Sequence, residues 1–136
     1  TTLAVPAFTQ FIANNRLASQ ANELVASLQF ARSEALKRGV NIVICPSTNG
    51  STCGGNWNEG WIAPDPANPA TPLRVWNSPG DDLEFTPVSS SFTFQPSGFS
   101  ATQQLEFKLS GCTSESARRI LVENTGRVAS ERVDCS

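Results

Sequence analysis

The chain has 136 residues, a formal net charge of −2, no His, no Met, no Tyr and four Cys. That length fits one domain with a single core, and an acidic balance argues against a protein that coats nucleic acid with a basic surface. Without His, histidine-based catalytic triads and HExxH zinc chemistry are excluded.

The first predicted element is a helix. From Leu3 to Arg38 there is no Gly, and Pro6 is the one Pro. Leu17, Ala21, Leu24, Leu28, Ala31 and Ala35 recur at helical spacing and form one apolar stripe, widened by Ala18, Val25 and Leu36. Arg16, Gln20, Glu23, Ser27 and Glu34 make the polar face. Lys37 and Arg38 suit the negative end of the helix dipole, and Gly39 suits the left-handed closing conformation.

The opening stretch differs. No charge precedes Arg16, and Leu3, Val5, Phe8, Phe11 and Ile12 do not share one narrow face. Thirty-six helical residues would run about 54 Å, whereas the remaining residues would form a globule roughly 35 Å across. About a third of such a helix has no partner in its own chain, and exposed apolar surface of that kind marks a membrane or protein contact. The uncharged stretch is shorter than the roughly 20 residues a bilayer span requires. It therefore reads as the lower end of a longer apolar helix, and the Thr at position 1 as the start of a processed or trimmed chain. The alternative is that Pro6 opens a shorter helix as its first residue, with Leu3 and Val5 in a tucked tail.

After Gly39 the pattern changes to strand and turn. Short apolar runs cover Val40–Cys45, Trp57–Ala63, Leu73–Trp76, Leu83–Thr86, Phe92–Gln95, Leu105–Leu109, Ile120–Glu123 and Arg127–Ser130. Turn residues separate them, and alternation in Phe92/Phe94 and Leu105/Phe107/Leu109 predicts antiparallel sheet packed on the helix. Pro64–Pro72, with four prolines, is a stiff surface loop.

Four cysteines allow three pairings. Bridges between sequence neighbours, Cys45–Cys53 and Cys112–Cys135, are expected; four free buried thiols are the alternative. In the chain-entropy picture loops of about 9 and 24 residues contribute roughly 2.5 and 3.5 kcal/mol. The spacings lack the paired knuckles of a zinc site. Disulfides imply an oxidising compartment.

An apolar helix feeding a disulfide-bearing sheet domain resembles the type IV pilins. The likeness sharpens in Ala4–Phe8, Phe30–Gly39, Val43–Ser47 and Trp57–Ile62, and again in Asn124-Thr125-Gly126-Arg127. These residues resemble the minor pilin group that includes FimU, FimT and the type II secretion pseudopilin GspH, with the FimU type the nearest pattern. The resemblance implies an α+β pilin-like fold: a helix over residues 1–38, of which 1–15 is an apolar assembly stub, and a β-rich head over 39–136, together one domain. It implies a shortened, soluble form lacking a leader and most of a membrane-spanning helix. It further implies residence in the inner membrane facing the periplasm before assembly, then in an extracellular pilus. Val5, Pro6, Phe8, Phe11 and Ile12 would pack against other minor pilins and the major pilin, in a complex that primes the fibre and connects its tip to the major subunit. A GspH-like role in type II secretion is the close alternative.

The resemblance also raises DNA uptake, since some FimT-like pilins bind DNA through a Gly-Arg-x-Arg pattern. Here Gly126-Arg127-Val128-Ala129 lacks the second Arg, and from Cys112 onward four bases are matched by four acids. Arg127 and Arg132 are the candidate DNA contacts, aligned on one side of a hairpin; a solvated strand face is the favoured reading, because interleaved acids oppose phosphate binding. Asp81-Asp82-Leu83-Glu84 hints at calcium, but a hydrated turn accounts for it. Trp57 and Trp61, four apart in a predicted strand, either bind sugar by stacking or anchor the core, and the core is favoured. Ser89–Ser91 have no activating base. The expectation is therefore a non-enzyme with no cofactor, no metal and no small-molecule substrate.

Overall fold

A computed structural model describes residues 4–112 and 117–134, with side chains from position 11 onward. Helix α1 (Ala4–Arg38) is followed by β1 (Ile42–Pro46), β2 (Trp61–Ala63), β3 (Arg74–Trp76), β4 (Leu83–Thr86), β5 (Phe92–Phe94), β6 (Gln103–Leu109), β7 (Ala117–Val122) and β8 (Val128–Val133). The strands form two antiparallel four-stranded sheets, ordered β3-β2-β1-β5 and β4-β6-β7-β8.

The helical stripe is the spine of the core. Leu17, Leu24, Leu28, Ala31 and Ala35 are fully buried and Ala21 nearly so, against Ile42, Ile44, Phe92 and Phe94 of one sheet and Leu105, Phe107, Ile120 and Val122 of the other. Alternation explains the second sheet: Leu83 and Phe85 point inward while Glu84 and Thr86 point out. The helix closes as its sequence dictates, with Gly39 at φ 68° donating its N–H to the Ala35 carbonyl at 3.0 Å.

Three expectations need correction. Leu36 does not widen the stripe; it lies about 100° round the helix from Ala35 and is exposed. Ser27 does not belong to the polar face. Lying between Leu24 and Ala31 on the inward side, it is fully buried, and its hydroxyl donates to the Glu23 carbonyl (2.8 Å) while accepting the Trp61 indole N–H (3.0 Å). The Trp57–Ala63 run is not one strand, since a 3-10 turn over Trp57–Glu59 precedes β2. The strand-face argument for the two tryptophans therefore fails, yet their rings still lie 5.9 Å apart, both buried.

The expected cysteine pairing is seen in part. Cys45 and Cys53 are bridged, with Cα atoms 5.6 Å apart, and this is the single disulfide among the described residues rather than the expected two. The second expected pairing involves Cys135, which lies outside the described residues; Cys112 is not a free thiol.

Candidate assembly surface

Along α1 the change from exposed to buried is abrupt. Phe11 is 61% exposed and Ile12 50% exposed, whereas Leu17 is completely buried. Two adjacent large apolar side chains thus stand in solvent at the end of the helix that leaves the head. Val5, Pro6 and Phe8 lie further out on the same helix, their side chains outside the described ones. Pro6 is the third described helical residue, so it lies within α1 rather than at its first described position. No helix among the described residues is long and apolar enough to cross a membrane.

The departing helix is fastened at its base by Arg16. Its guanidinium donates to both carboxylate oxygens of Asp82, one at 2.7 Å, and to the Pro79 carbonyl at 2.8 Å. This fork ties α1 to the β3–β4 loop, a bidentate geometry that Lys could not reproduce. It also bears on the calcium hint, since the Asp82 carboxylate is occupied by a guanidinium.

Hydrogen bonds from Arg16 hold the Asp82 carboxyl below its ordinary value of 3.8. A depressed folded-state value means the clamp stabilises the protein at every pH above that ordinary value and is lost as pH falls through the lower folded one. Stability measured by denaturant at pH 7 and at successive steps below pH 4 is expected to fall less steeply in Asp82→Asn than in the parent. The effect is small because the pair is partly solvated. Identical acid slopes would remove the clamp from the account.

A second fastening lies lower on the helix. Arg32 donates from Nε to the Gly98 carbonyl (3.1 Å) and from Nη2 to the Thr125 carbonyl (3.4 Å). The Asn124–Arg127 turn is closed by Gly126 N–H to Glu123 O at 2.8 Å and Glu123 N–H to Arg127 O at 2.9 Å, and Ser100 N–H bonds the Asn124 carbonyl at 3.1 Å. Two of the sequence runs singled out above, around Arg32 and around Gly126, therefore meet in one seam. Arg127 projects from its edge, exposed and ion-paired to Glu123 at 3.3 Å.

The two candidate DNA contacts are not brought together. Arg127 precedes β8 and Arg132 stands near its far end, about 16 Å away at the usual rise per residue. Five positions along an extended chain also turn them to opposite faces.

Sequence reasoning missed the partners of Arg16 and Arg32. Each reaches a loop 63 to 93 positions away, and no local pattern carries that information. One faint signal existed for Arg16: it is the first charge after a long uncharged run.

Comparisons agree with this architecture. A family model described as Type II transport protein GspH matches residues 20–126. No protein of curated function matches the chain significantly. The crystal structure of the type IV minor pilin FimU from Pseudomonas aeruginosa PAO1 is 24% identical, covering 93% of this chain and 99% of that one, with a TM-score of 0.71. The minor pseudopilin EpsH from the Type 2 Secretion System of Vibrio cholerae is 11% identical, covering 88% and 97%, with a TM-score of 0.59. GspH from E. coli is 15% identical, covering 88% and 90%, with a TM-score of 0.60. At these identities the likeness to solved structures is one of fold.

Proposed function

The chain belongs to the GspH family, and from that premise we propose that it is a minor pilin of the FimU type, priming a type IV pilus and joining the tip complex to the major pilin. The observation that carries this reading is the exposed Phe11–Ile12 pair on a helix that outruns its own head. Water around such side chains is released when a neighbouring helix covers them, at very roughly 1.5 to 3 kcal/mol for each large one. Val5, Pro6 and Phe8 are assigned to the same contact. The partners are then other minor pilins and the major pilin. The Cys45–Cys53 bridge suits a head that matures in the periplasm and works outside the cell. A second bridge, Cys112–Cys135, is part of the proposal. Catalysis, a cofactor and a small-molecule substrate are not.

Phe11→Asp combined with Ile12→Asp tests the reading in the full-length protein. Both positions are exposed, so the melting temperature is expected to stay at the parent value, while capture of purified candidate pilins falls at least about tenfold. Undiminished capture by the double variant would exclude assembly through the helix. A minor pseudopilin of type II secretion is the second reading, favoured by the description of the matching family. A deletion strain separates the two, through loss of twitching in one case and of secreted enzymes in the other.

A further inference from the structure

Strand β7 carries two adjacent arginines with opposite fortunes. Arg119, on the solvent face of the sheet, lies between Glu106 of β6 and Glu131 of β8, with N–O distances of 2.8 Å to each. Arg118, on the inner face, is 8% exposed. Its cross-strand neighbours are Phe107 on one side and Arg132 on the other. The Glu123–Arg127 bond marks a hydrogen-bonded pair of this hairpin, so by alternation Arg118 and Arg132 occupy a non-hydrogen-bonded pair, whose Cα atoms approach to about 4.5 Å.

Like charges directly opposed across strands are destabilising, and a buried cation without a counter-charge is costly. Among the described residues neither arginine has a carboxylate partner. The one hydrogen bond Arg118 makes there is a long one, 3.5 Å, to the carbonyl of the preceding Ala117. Burial, and then the charge of Arg132, push the Arg118 guanidinium below its ordinary value. Arg118 is thus a nearly buried cation beside the exposed Arg132, an electrostatic problem with no carboxylate answer among the described residues.

Their position says where the solution comes from. Leu83 pairs with Leu109, and the next inward row along the sheet is Phe85–Phe107–Arg118–Arg132. Leu83 follows Asp82, which Arg16 holds. The arginine pair therefore lies at the end of the sheet where α1 leaves the head, with Phe11 and Ile12 about one helical turn beyond Arg16.

We infer that Arg118 and Arg132 together receive one side-chain or terminal carboxylate from a neighbouring subunit, delivered when that subunit packs against the exposed end of α1. The inference rests on the reading of this chain as a fibre subunit. A single carboxylate accepts a guanidinium fork bidentately, and its size suits a pair in which one cation is almost covered and the other exposed. A duplex backbone fits poorly, because it needs several accessible cations in a row.

The test compares the full-length parent with Arg132→Gln, Arg118→Met and the Phe11→Asp/Ile12→Asp double variant, using each purified pilin encoded beside it as probe. Arg132→Gln is expected to lower capture at least about tenfold while the free subunit melts no lower than the parent, because a like charge opposite Arg118 is removed. Arg118→Met is expected to lower capture while the free subunit melts no lower than the parent, because an apolar chain replaces an uncompensated charge. If Arg132→Gln captures normally and the helix variant does not, the carboxylate is refuted and the fibre reading stands. If Arg118→Met melts well below the parent, Arg118 has its partner within its own chain and the inference falls. Salt-sensitive retardation of duplex DNA, lost in Arg132→Gln, would put a phosphate where the carboxylate was placed and overturn it. If the parent captures no pilin, both readings fall together.

Discussion

Gly126→Ala is expected to destabilise the protein by about 2 to 6 kcal/mol, the combined range for a strained backbone and an overpacked contact. Gly126 has φ +87°, a conformation that residues with a side chain rarely adopt. It is also buried in the seam between the β7–β8 turn and the loop before β6. A β-carbon there would penetrate the carbonyl oxygen of Gly98 and come within 2.6 Å of Arg32 Nε. Neither can yield cheaply, since the first is backbone and the second belongs to a guanidinium held by the Gly98 carbonyl at Nε and the Thr125 carbonyl at Nη2. Urea denaturation checks the prediction: the midpoint should drop with the slope unchanged. Arg127→Ala, one residue on, removes an exposed side chain and should stay within about 0.5 kcal/mol of the parent. That contrast decides what the Asn124–Arg127 turn is for. A parent-like midpoint in Gly126→Ala would show that the seam is loose and that its arginine is available for other contacts.

Trp57→Ala should cost about 3 to 5 kcal/mol. The side chain is fully buried, its ring 5.9 Å from Trp61 and 5.8 Å from Phe92, and its indole N–H donates to Ser90 Oγ at 3.1 Å. Truncation leaves a large void where the two sheets meet the 3-10 turn and deprives the Ser90 hydroxyl of its donor. Trp57→Phe keeps most of the volume and should lose clearly less, which separates the cavity from the hydrogen bond. Thermal melts of the two variants read the difference. The choice between core and sugar platform follows from the same fact: a ring with no exposed face has nothing to offer a saccharide. Near-parental melting of Trp57→Ala would reopen the platform reading.

Much of the helix was legible because its pattern is local. Leu17 to Ala35 repeats every three or four residues, and periodicity of that kind points at one surface whatever that surface turns out to be. Ser27 was misread because a polar side chain at a core position looks, in sequence, like any other polar side chain. What rescues it is an indole arriving from β2, 34 positions away. Trp57–Ala63 was misread because a composition rich in Trp and Ile suits a strand, while the capping of Trp57–Glu59 by the Glu59 carboxylate on the Asn56 N–H made the first half a 3-10 turn instead. The apolar end of α1 showed itself as a mismatch between helix length and globule size, an argument that needs no tertiary detail.

By itself the order of residues determined a long helix with one buried stripe, antiparallel strands laid on it, a bridge between the neighbouring Cys45 and Cys53, and an opening stretch too greasy for its own head. Those are consequences of period, composition and proximity along the chain. Only the folded molecule decided which charges meet. Arg16 was given Asp82, Arg32 was given two backbone carbonyls, and Arg119 was given two glutamates, while Arg118 was set against Arg132. Electrostatic partnership depends on distance in space, and the register of strands far apart in sequence sets that distance.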